Sequence, residues 1–232
     1  MGDMTDGFVE SEKSTRAGVQ AVAAVVLVAG VIGGIWAYAK VFPQKATGSE
    51  PATCSVSRTH DSLPAKYVSG AQLCKALNRP DLPALLGTPK EHAENADGNE
   101  SSLTLAGGTK IATPEANVQL ETYSLKLSAS YDDLPVSEVV GYLGRTAEAK
   151  TVLGHPAVLY SDRTIAFTFN GGKAHTGPGG IARRLLVARD AKDGGDSYEV
   201  DIWRQDDVPP DDTALLRVAE QVLPTIPGWT AG

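Results

Sequence analysis

The sequence predicts an α+β protein in which one N-terminal transmembrane helix precedes a mainly antiparallel sheet covered by about three helices. Three observations carry that expectation. Residues 17–39, AGVQAVAAVVLVAGVIGGIWAYA, hold no charged side chain. Further on, segments with apolar residues at every second position follow one another through short Gly-, Asn- and Asp-rich connections, the pattern of neighbouring antiparallel strands. Among them lie three segments with apolar residues at helical spacing and with start and stop signals at their ends. Such helices must bury their apolar side, and they are expected together on one side of the sheet.

In chain order, residues 1–16 carry Asp3, Asp6, Glu10, Glu12, Lys13 and Arg16 with few sizeable apolar groups. They bury too little to fold alone and read as a polar cytoplasmic tail. The run 17–39 then has the length needed, about 20 residues at roughly 1.5 Å rise, to cross a hydrocarbon core of about 30 Å. Its partner is the lipid bilayer. Trp36, Tyr38 and Phe42 cluster at its far end, where amphipathic rings favour the headgroups, and Lys13, Arg16, Lys40 and Lys45 bracket it. Gly30-x-x-x-Gly34 is the spacing that could bring two such helices together in a dimer through Gly30 and Gly34, but small residues are frequent in any membrane helix and that reading outweighs the dimer.

Flanking charge does not orient the span, since Lys13 and Arg16 on one side face Lys40, Lys45 and Arg58 on the other. Cysteine does. Cys54 and Cys74, twenty positions apart and outside any CxxC or metal-ligand pattern, read as one disulfide, which forms in an oxidising compartment. A short tail ending in Arg16 also suits a signal anchor. The N-terminus is therefore placed in the cytoplasm and residues 54–232 outside, in a single-pass protein of the cell membrane. Ala37-Tyr38-Ala39 offers a signal-peptidase pattern, although the apolar run exceeds the usual 7–15-residue signal core and ends in Gly-Gly and aromatics.

Residues 40–53, rich in Pro, Gly, Ser and Thr, are a linker. Residues 54–232 are expected to form one independently folding, monomeric domain. Ser69 and Gln72 have capping-box spacing and Val68 can staple onto Leu73, so a helix runs from Ser69 to Leu77 and stops at Asn78-Arg79-Pro80. A second short turn covers Leu82 to Leu86. Glu91 to Ser102 reads as an exposed loop. Leu103 and Leu105 alternate before Gly107-Gly108, and Val118 to Tyr131 reads as one long strand with a bulge near Thr122, where its apolar parity changes. Pro135 at a first helical position opens a helix with Val136, Val139, Val140 and Leu143 on one side. Ala157 to Tyr160, Thr164 to Phe169, Arg183 to Arg189 and Ser197 to Arg204 are strands, the middle two broken apart by the Gly-rich GGKAHTGPGG. Asp212 caps a last helix stopped at Pro224.

No catalytic, cofactor or metal site is assigned. Gly172 and Gly177 have the spacing of a phosphate-binding loop, but Pro178 stands where its Lys must be. Asp190, Asp193, Asp196 and Glu199 recur every third residue, yet Asp193-Gly194-Gly195-Asp196 is what a turn between strands looks like, and the order of EF-hand ligands is absent, so indifference to calcium is expected. His60, His92, His155 and His175 are scattered. With 21 basic and 28 acidic residues, net −7, the chain repels phosphate backbones and no nucleic-acid partner is expected.

The segments LCKALNRPDLPALLGTP, TVLGHPAVLYSDRTIAF, TGPGGIARRLLVARDAKDGG, IWRQDD and VLPTIPGW resemble those of a family of actinobacterial single-pass membrane proteins with an outer domain of unknown function. The resemblance implies an anchored outer domain in a Gram-positive envelope and supplies no site residues. The Cys followed by a Leu-rich turn and LLG is similar, more faintly, to a class of actinobacterial envelope lipoproteins, from which this chain departs by having a span. Two function classes follow. One is an outer domain that binds an envelope protein or small ligand without catalysis; the other is an envelope hydrolase using carboxylates such as Asp162, Asp201 or Asp206.

Overall fold

The computed structural model describes residues 51–57, 66–170 and 173–230. The predicted tail, span and most of the linker, Gly30 and Gly34 included, lie outside the described residues, as do His60, Gly171 and Gly172. Among the described residues no helix is long and apolar enough to cross a membrane.

The first helix, α1 (Gly70–Leu77), starts where its cap dictates. Ser69 Oγ accepts from the Gln72 amide at 3.2 Å, and Gln72 Oε1 accepts from the Ser69 amide at 2.8 Å. Leu73, Cys74 and Leu77 point into the core, and Cys74 is disulfide-bonded to Cys54. A short α2 (Leu82–Leu85) follows. The disulfide holds strand β1 (Ser55–Ser57), which pairs in parallel with β2 (Asn95–Asn99).

That second strand corrects the expected exposed loop. NADGN looks polar, but its inward residues are Ala96 and Gly98, small because α1 sits directly on the strand. A Cβ on Gly98 would fall 2.3 Å from the Gly70 carbonyl oxygen, and one on Gly70 2.4 Å from the Asn99 carbonyl oxygen. Two backbones meet there with no room for a methyl group. Gly98→Ala is therefore expected to destabilise the domain by about 1–3 kcal/mol or more, read as a lower urea midpoint; an unchanged midpoint would mean that α1 and β2 do not touch.

A separate hairpin, β3 (Ser102–Thr104) and β4 (Lys110–Ala112), turns at Gly107 and Gly108, both at positive φ, and lies against β6. The single strand expected from Val118 to Tyr131 is in fact the second half of β5 (Glu115–Gln119) and all of β6 (Tyr123–Tyr131), antiparallel neighbours with the Leu120 amide donating to the Tyr123 carbonyl at 2.8 Å. The parity change near Thr122 marks a reversal of direction, not a bulge. Helix α3 (Val136–Leu143) has Pro135 as its N-cap and not as its first residue, so it starts one position later than expected, and it ends at Gly144 with φ 77°.

Strand β7 (Glu148–Val152), absent from the sequence reading, leads into β8 (His155–Asn170) and β9 (Lys173–Ala188). Each is one strand of 16 residues, so the glycines from Gly177 onward do not end the strand. Gly179 and Gly180 instead form the irregularity opposite Thr164, where a Cβ on Gly179 would meet Thr164 Oγ1 at 2.3 Å. β10 (Asp196–Arg204) and α4 (Asp212–Val222) close the chain; the cap of α4 is Asp211, which accepts from the Thr213 amide, and Asp212 is its first residue.

The sheet order is β1-β2-β5-β6-β10-β9-β8-β7, antiparallel except for β1–β2. One face carries Val118, Leu125, Leu127, Leu185, Val187, Val200 and Ile202 and is covered by α1, α2 and α4 through Leu73, Leu77, Leu82, Leu215 and Val222. The helices do not share one side, however. Helix α3 packs on the opposite face, where Val136 meets Val158 and Ala188. The even and odd residues of β8 and β9 are both apolar at this end, so each face can hold a helix.

Candidate functional site

Away from α3, that second face is polar, and the strand register writes charge across it. One row runs Asp97, Asn117, Lys126, Asp201, Arg184, Tyr160 over six neighbouring strands, each residue directly opposite the next. The next row runs Asn99, Glu115, Ser128, Glu199, Leu186, Val158. Directly opposite side chains lie close enough to interact. Lys126 Nζ is 3.1 Å from Asp201 Oδ2, and Arg184 Nη1 is 3.3 Å from the same oxygen and 3.6 Å from Glu199 Oε1. Tyr160 Oη donates to Glu199 Oε1. Lys126, Arg184 and Asp201 are 6%, 4% and 2% exposed, so this is an ionic network inside the protein.

Across these two rows the acids Asp97, Glu115, Glu199 and Asp201 outnumber the bases Lys126 and Arg184, and their proton affinities reflect it. Burial pushes Glu115 from its ordinary 4.5 up to about 7, against the opposing pull of Lys126. Burial, with the Asp201 charge added, also raises Glu199, and burial raises Asp97. For Lys126 and Arg184 burial favours losing the proton, but Asp201 and Glu199 outweigh it and hold both cations charged.

A pH dependence follows. In the unfolded chain Glu115 loses its proton near 4.5 and in the folded domain near 7. Between those values the folded state holds more protons, so the contribution of this group to stability falls as pH rises from about 4.5 to 7 and is fully lost above. The difference amounts to about 3 kcal/mol. Glu115→Gln is expected to match the native protein below pH 4.5 and to exceed it by up to that amount at pH 8. Parallel stability–pH curves for the two proteins would contradict the assignment.

Where the polar face meets α3, a cavity of about 70 Å³ opens. Ser128, Ser130, Ser197 and Glu199 form its polar floor; Leu134, Val139, Tyr142, Leu143 and Leu186 form its apolar wall, with Asp132 at one end. The floor follows from strand register, since Ser128 faces Glu199 and Ser130 faces Ser197. The wall follows from the helical spacing of Val139 and Leu143. Burial raises the proton affinity of Asp132, whose carboxylate accepts from Ser130 Oγ and the Leu134 amide.

The residues singled out in the sequence are placed as follows. Cys54 and Cys74 are bonded. Asp162 and Asp201 both address Arg184, whereas Asp206 is exposed and paired with Arg204. The four acidic residues from Asp190 to Glu199 do not converge. Asp193, at positive φ, accepts from the Val136 and Ser137 amides at 2.7 and 2.9 Å and so caps α3 from another loop. Asp190 accepts from the Lys192 amide, Asp196 pairs with Arg189, and Glu199 belongs to the buried network. Buried His155 stacks on Trp229 at 4.0 Å with Nδ1 against the Ala188 carbonyl. Among the described residues no group of three or more His, Cys, Asp or Glu is placed to hold a metal.

No sequence motif groups Lys126, Arg184, Glu115 and Glu199. Their signal is the alternate parity of strands whose other parity is apolar, which ordinarily means a solvated face. Opposite charges on that parity were visible; which of them face each other depends on register.

These features define a class: an open α+β domain with a mainly antiparallel sheet, one face packed by three helices and the other carrying a single helix, a buried ionic network and a small cavity between them. The chain belongs to a family of unknown function, DUF6215, which it matches over residues 12–146. That match runs from the polar tail through α3, so it contains Glu115, Lys126 and Ser128 and stops before Arg184, Glu199 and Asp201. No curated protein and no solved structure matches the chain.

Proposed function

We propose that this is a membrane-anchored cell-envelope protein whose outer domain binds a small ligand or envelope partner without catalysis, in the cavity between α3 and the polar face. The anchor is the run 17–39, with the N-terminus in the cytoplasm, as in the actinobacterial single-pass proteins that the chain resembles. The Cys54–Cys74 disulfide supports an oxidising compartment. The observation that carries the binding reading is the cavity itself, in which an apolar wall faces convergent hydroxyl and carboxylate groups. Of the carboxylates considered for hydrolysis, Asp201 is 2% exposed and held by two cations, out of reach of a substrate. The full chain in detergent micelles, titrated with a library of small organic fragments and followed by amide chemical shifts, is expected to respond at Ser128, Leu143, Ser197 and Glu199. A library that shifts none of these overturns the reading.

A hydrolytic reading rests on one specific observation: Asp132 and Glu199, both with raised proton affinity, line the same cavity, and paired carboxylates of that kind serve glycoside hydrolysis. Turnover of a glycoside that is lost in Glu199→Gln would favour it.

A further inference from the structure

We propose that the cavity beside α3 takes a primary ammonium group carried on a short aliphatic chain. This rests on the ligand-binding reading above and names the chemistry of the ligand. Size sets the first limit. A cavity of about 150 Å³ holds benzene, so one of about 70 Å³ suits an ammonium head with roughly three or four carbons better than a ring.

Hydrogen bonding sets the second. Ser197 is 6% exposed and lines the cavity, and its hydroxyl and that of Ser128 have no hydrogen-bond partner among the described residues. Tyr160 and Arg184 both address Oε1 of Glu199, which leaves Oε2 for a donor. Ser128 lies directly opposite Glu199, and Ser197 is two positions along the same strand face. Three acceptors therefore sit side by side, matching the three donors of an ammonium group.

Charge sets the third. Arg184 is shared by Asp162, Glu199 and Asp201 at 3.3–3.6 Å, and Lys126 is engaged by Asp201. Glu199 is left short of positive charge, and no cationic side chain lines the cavity, whereas Asp132 adds a second carboxylate. An anionic ligand would meet two carboxylates and no cation; a neutral alcohol would satisfy the hydroxyls and leave Glu199 uncompensated. The methylene chain of an amine lies along Leu134, Val139, Leu143 and Leu186.

The test titrates the full chain in detergent micelles, at fixed pH 7.5 and ionic strength, with n-butylammonium, n-butanol and n-butyrate in turn, following amide shifts of Ser128, Leu143, Ser197 and Glu199. The expected result is saturable shifts with n-butylammonium, at least tenfold weaker binding of n-butanol and none of n-butyrate. Glu199→Gln should weaken n-butylammonium at least tenfold. Should that variant fail to fold, Leu143→Trp, which fills the cavity from its wall, should abolish the shifts with the rest of the spectrum unchanged. Equal binding of n-butanol or n-butyrate, or undiminished binding by either variant, overturns the ammonium inference and leaves the ligand-binding reading intact. Failure of n-butylammonium while a fragment of other chemistry binds the same residues does the same. No saturable response to any probe overturns both.

Discussion

Asp201→Ala is expected to destabilise the domain by about 3–5 kcal/mol, because it leaves Lys126 and Arg184 in the interior with their shared counterion gone. That is a large part of the 5–15 kcal/mol that holds an ordinary domain together. The size of the effect comes from desolvation. The pair adds little over an apolar substitute, but Lys126, 6% exposed, loses its ion-pair partner and cannot recover water, while Arg184 keeps only Asp162 and Glu199, each at 3.6 Å. Urea unfolding with linear extrapolation measures it. Asp206→Ala is the control: Asp206 also forms an arginine pair, but in solvent, where screening leaves such pairs with little net effect, and no measurable change is expected. Equal effects at the two positions would show that the network is solvated.

Removing the disulfide, by Cys54→Ala with Cys74→Ala, is expected to cost roughly 3 kcal/mol in the chain-entropy view of a loop of this size, with Cys54 and Cys74 separated by 20 residues. Its location sharpens the expectation. Strand β1 has three residues and pairs only with β2, so without the bridge to α1 it loses its main tether. Hydrogen exchange at Ser55 to Ser57 should rise to the rate of an open chain while α1, held by its own cap and by Leu73 and Leu77, keeps its protection. A loss below 1 kcal/mol with β1 still protected would mean that strand pairing alone fixes the edge.

Legibility in the sequence followed the range of the interaction. The capping box of α1, the apolar spacing of α3 and α4 and the strand β10 rest on residues within a turn or strand, and these elements stand where the sequence puts them, with the caps of α3 and α4 displaced by one. Where a distant partner decides, local pattern misled. β2 reads as a loop because Ala96 and Gly98 answer to the backbone of Gly70, and the glycines of β9 read as a break because their freedom serves a bulge opposite Thr164. Asp193 stands in the turn that its Gly-Gly neighbours predict, yet the use of its carboxylate, capping α3 from 57 residues away, depends on how the two loops meet. The same holds for the polar face. In the sequence Asp201 is one carboxylate among several, and its meaning comes from Lys126 and Arg184 beside it on the two neighbouring strands.

The proposed location of this domain is outside the cytoplasm, and thiol accessibility in intact cells tests that most directly. Val208 is half exposed in the folded domain, Ser11 lies in the predicted cytoplasmic tail, and both native cysteines are in the disulfide. A membrane-impermeant maleimide is expected to label Val208→Cys in intact cells and Ser11→Cys only after lysis. Labelling of Ser11→Cys in intact cells with Val208→Cys protected until lysis would contradict it.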